Sequence, residues 1–84
     1  MSDSGSVANE VLQELARARK TFPPFNSAHE GYAVILEEVE ELKAEVFWKK
    51  GEERKRLARA EAIQVAAMAI RFILDVTDKV QDER

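Results

Sequence analysis

The C-terminal part of the chain places the strongest constraint on the fold of this sequence. Residues 52–84 contain neither glycine nor proline, and the glutamates at their start suit the positive end of a helix. Within residues 60–76, thirteen of seventeen positions are apolar. A helix that is apolar around most of its circumference must be covered on most sides. The sequence therefore predicts one long, largely buried helix near residues 52–80.

Two further helices are predicted before this one. Apolar residues recur at helical spacing in residues 6–20, and we expect residues 1–5 in front of them to be frayed. A Pro-Pro step at 23–24 favours an extended connector, because proline excludes the preceding residue from the α region. Ser27 then opens a capping box and an amphipathic pattern, which predicts a second helix over residues 27–50.

The predicted class is all-α, with an N-terminal helix followed by a helical hairpin. No segment shows the alternation of a strand, and 84 residues leave room for a single domain, 1–84. A domain of this length buries only about 60% of its unfolded surface. Cysteine is absent, so disulfides cannot add stability. We therefore expect a homodimer or homotetramer that completes a four-helix-type bundle.

Charge and hydropathy exclude two classes of partner. A net charge of −3 opposes the basic surface needed to bind bulk nucleic acid. The longest apolar run is the six residues 65–70, which is too short to cross a membrane, and the small polar N-terminus lacks the apolar core of a signal peptide. We expect a soluble, cytoplasmic protein without a membrane partner.

Polar side chains occupy one stripe on each helix of the predicted hairpin. At about 100° per residue, the four polar positions of the third helix fall within roughly 80°, and three glutamates of the second helix fall within about 60°. Like charges at these spacings repel one another, and a hard divalent cation such as Mg²⁺ would remove the repulsion. The stripes are Glu61, Gln64, Arg71 and Asp75 on the third helix, and Glu38, Glu41 and Glu45 on the second.

Structural explanations for these charges stay open at this point. A run of glutamates such as 37–41 is common on a solvated helix face, and for this segment alone that is the ordinary interpretation. Glu61 can pair with Arg54 or Arg71 in an ion-pair network. For Arg71, an ion pair with Asp75 or a glutamate and a contact with a phosphate have equal weight.

Two short segments resemble the MazG-like nucleoside triphosphate pyrophosphohydrolases. Residues 36–42, LEEVEEL, are similar to the EExxEL segment of that family, and residues 61–64, EAIQ, resemble its ExxD segment. The resemblance covers about residues 26–76. It implies that Mg²⁺, or Mn²⁺ as an alternative, is bound by Glu38, Glu41, Glu61 and position 64. Gln64 departs from the family's aspartate, and an amide oxygen brings no charge.

The resemblance also implies a reaction, the hydrolysis of a nucleoside triphosphate to a monophosphate and pyrophosphate, with nucleotide house-cleaning as a role. Glu45 is the carboxylate expected to orient or deprotonate the water. Arg71, Arg54 and Lys49 are the cations expected to contact the substrate. The alternative is a non-catalytic helical oligomerisation module that retains the fold. A third hypothesis is an adaptor that binds a partner's helix through the first helix.

Overall fold

The computed structural model describes residues 2–48 and 50–79. These residues form helices without any strand, which confirms the all-α class. None of the helices found there is long and apolar enough to cross a membrane. In chain order, the helices are α1 (Ser4–Thr21), α2 (Ala28–Phe47) and α3 (Glu52–Phe72), and α3 continues into a π-helical turn (Ile73–Thr77).

The N-terminus of α1 is more ordered than the sequence analysis predicts. Asp3 caps the helix, because the Ser6 amide donates to Asp3 Oδ1 at 2.8 Å and the Asp3 amide donates to Ser6 Oγ at 3.3 Å. This reciprocal cap satisfies amides that would otherwise lack partners. The expectation of frayed residues 1–5 is therefore wrong for Ser4 and Gly5, which are helical, while Met1 lies outside the described residues.

The boundaries of α2 lie close to those expected. The Glu30 amide donates to Ser27 Oγ at 3.0 Å, and the Glu30 carboxylate accepts from the amide of Asn26 at 2.5 Å. At the other end α2 finishes at Phe47 rather than near residue 50. Gly51 has a φ of 89°, a left-handed conformation that favours glycine, and it separates α2 from α3.

The second and third helices form an antiparallel hairpin, as predicted. Gly31 near the start of α2 lies against Phe72 at the end of α3, and Glu38 farther along α2 lies close to Glu61. A Cβ atom at position 31 would lie 2.6 Å from Phe72 Cδ2 and 3.0 Å from Phe25 Cδ2. The missing side chain of Gly31 therefore lets the connector and α3 approach α2 closely.

The first helix packs on α3 and runs in the same direction. Arg59 of α3 donates to both carboxylate oxygens of Glu10 at 2.8 and 2.6 Å, and Glu14, one turn later in α1, lies beside Gln64. Both α1 and α2 therefore flank α3, which holds the centre of the chain. The buried apolar residues are Val11, Leu15, Ala18, Phe25, Ala67 and Met68.

One chain does not cover all of its apolar surface. The third helix is expected from the sequence to be buried around most of its circumference. In the single chain it is not, because Ala69, Ile73 and Leu74 are exposed. A helical stripe of exposed apolar residues also runs along the outer face of α2. Its members are Tyr32, Leu36, Val39 and Val46.

Candidate metal centre

A groove lies between α1 and α2, with α3 as its floor. Its volume is about 540 Å³. Arg17 and Ala18 of α1 line one wall, and glutamates and Val34 of α2 line the other. The connector between α1 and α2, residues 22–25, closes one end. The groove therefore combines a charged end with an apolar end, an arrangement common in ligand sites.

Three carboxylates meet in the charged part of this groove. Glu38 and Glu41 lie one turn apart on α2, and Glu61 faces them from α3. One carboxylate oxygen from each residue lies within 4.8 Å of the other two. The structure thus brings together three of the four side chains expected to bind a metal ion.

The electrostatics of the cluster show an excess of negative charge. Burial raises the pKa of Glu38 to about 7, and the charges of Glu41 and Glu61 add to the shift. Burial also raises the pKa of Glu61, and the neighbouring carboxylate of Glu41 adds to this shift. Oε1 of Glu61 is buried and has no hydrogen-bond partner. Oxygen ligands with uncompensated charge fit a hard divalent cation, which takes carboxylates and water.

No family model, curated protein or solved structure matches this chain. The resemblance of segments 36–42 and 61–64 to the MazG-like enzymes therefore stays a prediction.

The fourth position of the expected ligand set has a different partner. Gln64 lines the groove one turn after Glu61, and its side-chain amide lies close to the carboxylate of Glu14 on α1. The pKa of Glu14 is lowered, first by its hydrogen bonds with Arg17 and also by the nearby amide of Gln64. An amide can donate to a carboxylate, whereas an ionised aspartate cannot. Gln64 therefore links the metal cluster to α1.

The candidate base, Glu45, lies near the cluster but not in the groove wall. It is half-buried on α2, one turn beyond Glu41. Its charge contributes to the raised pKa of Glu61, which places it within electrostatic range of the three carboxylates. The side chains that line the groove do not include Glu45. Any role in proton transfer would be exercised from the edge of the site.

Of the two expected substrate-binding cations within the described residues, Arg71 lines the groove and Arg54 does not. Arg71 is 5% exposed, and one terminal nitrogen donates to the Pro23 carbonyl at 2.5 Å. Its Nε lies 3.5 Å from Asp75 Oδ2, and its guanidinium is 4.1 Å from the centre of the Phe25 ring. These contacts match the ion-pair alternative. Arg71 holds the connector in place against α3.

Arg54, the other expected cation that the structure describes, does not line the groove. Arg54 is exposed and lines a shallow depression between α2 and α3, together with Leu42 and Val46. This depression contains none of the three clustered carboxylates. Lys49 lies outside the described residues, so its expected role stays a prediction.

Sequence reasoning missed the contribution of α1. Arg17 lines the groove, and Phe22 is half exposed at its apolar end. Arg17 pairs with Glu14, which is three residues earlier and therefore on the same face of α1. That spacing was visible in the sequence as an ordinary surface pair. Only the packing of α1 shows that Arg17 lines the same groove as the carboxylate cluster.

Proposed function

We propose that this chain is a Mg²⁺-dependent nucleoside triphosphate pyrophosphohydrolase related to the MazG-like enzymes. The observation that supports the proposal is the convergence of Glu38, Glu41 and Glu61 within 4.8 Å in a groove open to ligands. Facing helices bring these carboxylates together although like charges repel, and a cation is the simplest compensation. The products are a nucleoside monophosphate and pyrophosphate, and the cytoplasm is the compartment that supplies such substrates.

The roles of the residues follow from their positions. Glu38, Glu41 and Glu61 would hold the Mg²⁺ ion, with Gln64 beside them rather than as a charged ligand. When bound, the ion neutralises phosphate charge and makes water more acidic. Glu45 orients the attacking water and accepts its proton, as the water breaks the bond between the α-phosphate and the pyrophosphate leaving group. Mn²⁺ satisfies the same oxygen ligands.

The dimensions of the groove suit an elongated ligand with a charged end and an apolar end. Between Glu61 and Arg71 the axis of α3 rises by about 15 Å, at about 1.5 Å per residue. The clustered carboxylates lie at the level of Glu61, and the apolar side chains of Phe22, Pro24 and Met68 lie at the connector end of the groove. A metal-bound triphosphate at the acidic end would direct its nucleoside towards these apolar side chains.

Self-association is the second part of the proposal, with another copy of the chain covering the exposed apolar stripe of α2. We expect a dimer or tetramer at micromolar concentration, because a large exposed apolar surface is costly on a single short chain. Leu36→Lys, in the middle of the stripe, should shift sedimentation towards the monomer. Leu12→Lys is the matched control, since Leu12 is also exposed but lies on α1. A monomeric natural chain with full helicity would contradict this prediction.

The catalytic proposal is tested by measuring pyrophosphate and orthophosphate release from nucleoside triphosphates with Mg²⁺. We expect the natural chain to release pyrophosphate from at least one nucleotide. Orthophosphate without pyrophosphate would reject the proposed bond cleavage. Gln64→Asp separates an active site from a decayed one, because activity only in this variant would identify the natural chain as a relic. If neither the natural chain nor Gln64→Asp released product or bound metal, the result would favour a non-catalytic oligomerisation module.

A further inference from the structure

A ligand with several phosphates needs positive charge in addition to the metal ion. Among the described residues that line the groove, two are cationic, Arg17 on α1 and Arg71 on α3. The cations expected in this role from the sequence are Arg71, Arg54 and Lys49. The contacts of Arg17 and Arg71 decide which of the two has donors available for a ligand.

The guanidinium of Arg71 is enclosed by the protein: its two terminal nitrogens donate to Met68 and Pro23, and its buried Nε makes no hydrogen bond. Its guanidinium contacts the carbonyl of Pro23, the sulfur of Met68, the ring of Phe25 and the carboxylate of Asp75. The Arg71 side chain is only 6% exposed. Moving it towards a ligand would leave the carboxylate of Asp75 buried without its counter-charge, which is costly. Arg71 is therefore a structural residue of the groove.

The donors of Arg17 are held on one side only. Nε donates to Glu14 at 3.0 and 3.1 Å, and Nη2 also pairs with Glu14. Within the described residues, Nη1 of Arg17 makes no hydrogen bond that would occupy it. The Arg17 side chain is 56% exposed, while that of Glu14 is only 15% exposed. Glu14 thus fixes one edge of the guanidinium and leaves the rest accessible from the groove.

Gln64 connects this pair to the metal cluster. Its side chain lines the groove one turn from Glu61, and its amide lies close enough to Glu14 to lower the pKa of that carboxylate. A carboxylate at position 64 would repel Glu14 instead of binding it. Glutamine at this position therefore provides a donor that supports Glu14, and Glu14 in turn orients Arg17.

We propose that Arg17 binds the phosphates of the ligand in the groove, and that Glu14 and Gln64 act as positioning residues for it. The inference rests on the proposed function, since it requires a phosphate-bearing ligand at the carboxylate cluster. It assigns a role to α1, which closes the groove on the side opposite the glutamates of α2. It also gives Gln64 a function other than metal coordination.

The test is an equilibrium titration of the full chain with inorganic tripolyphosphate in the presence of Mg²⁺, and with Mg²⁺ alone. Arg17→Ala should weaken tripolyphosphate binding by about tenfold to a hundredfold, the effect of losing charge-assisted hydrogen bonds. Affinity for Mg²⁺ alone should stay unchanged, because Arg17 pairs with Glu14 and not with one of the clustered carboxylates. Arg19→Ala is the matched control, since Arg19 is exposed on α1 and does not line the groove.

Two further variants separate positioning from folding. Glu14→Gln and Gln64→Ala, neither of which adds a carboxylate to the metal cluster, should each weaken tripolyphosphate binding by less than Arg17→Ala does, with helicity retained in the circular dichroism spectrum. Equal affinity in Arg17→Ala and the natural chain would overturn this inference while leaving the metal site intact. A natural chain that binds Mg²⁺ but neither tripolyphosphate nor a nucleotide would overturn both the inference and the proposed function.

Discussion

Glu38→Gln is expected to remove the stabilisation by Mg²⁺ and to reduce pyrophosphate release by about a hundredfold or more. A ligand that binds only the folded chain stabilises it by mass action, about 2.7 kcal/mol at a concentration one hundred times Kd. Glu38 contributes one of the three oxygens that lie within 4.8 Å of one another, and glutamine removes its charge with little change in shape. Thermal unfolding with and without Mg²⁺ measures the first effect, and pyrophosphate release measures the second.

The controls for Glu38→Gln use other glutamates of the hairpin. Glu61→Gln should reproduce both losses, because Glu61 belongs to the same cluster. Glu40→Gln should change neither, since Glu40 is exposed on α2 and does not line the groove. If Glu38→Gln and Glu61→Gln both kept the Mg²⁺-dependent stabilisation, the metal assignment would be wrong.

The raised pKa of Glu38 also predicts how the stability of the chain changes with pH. Its pKa of about 7 in the folded chain lies above the ordinary value of 4.5, so folding favours the protonated form. Its contribution to stability is present at low pH and is lost as the pH rises through about 7. Without metal, Glu38→Gln should therefore be more stable than the natural chain at pH 8. Stabilisation by Mg²⁺ should weaken as the pH falls below 7, because protons compete for the carboxylate.

Helical periodicity explains why the carboxylate cluster could be predicted from the sequence. Spacings of three and four residues place side chains on one face of a helix regardless of the tertiary structure. A short connection then makes the two helices antiparallel neighbours, so the glutamates of α2 meet Glu61. The same reasoning fails for Arg54. It lies seven residues before Glu61 on nearly the same face of α3, but about 10 Å away along the helix axis, beyond the reach of the cluster.

The role of α1 could not be predicted, because it depends on packing between elements that are far apart in the chain. Glu14 and Arg17 form a pair that is indistinguishable in sequence from a common surface pair. The cap at Asp3 was missed for a different reason. Asp3 and Ser6 are both good capping residues, but the apolar pattern that marks the helix starts only at Val7.

Breaking the buried pair of Arg71 and Asp75 is expected to cost the fold about 3–5 kcal/mol, a large share of the 5–15 kcal/mol that stabilises a typical domain. The side chains of Arg71 and Asp75 are 6% and 3% exposed. Asp75→Ala would leave the guanidinium buried without a counter-charge, and the amide of Phe25, which donates to Asp75 Oδ2 at 3.1 Å, would lose its acceptor. Denaturant unfolding measures the loss. Asp78→Ala is the control, since Asp78 is exposed.

A second variant shows whether the ion pair of Arg71 and Asp75 itself stabilises the fold, or whether stability is lost only when one partner is left buried without the other. Arg71→Met combined with Asp75→Leu replaces both charges with apolar side chains, and it should recover most of the stability lost in Asp75→Ala. Because Arg71 also donates to Pro23, this double variant releases the connector that closes the apolar end of the groove. We therefore expect it to fold, to retain stabilisation by Mg²⁺ and to bind nucleoside triphosphates more weakly. A loss below about 1 kcal/mol in Asp75→Ala would contradict the assignment of Arg71 as a buried structural cation.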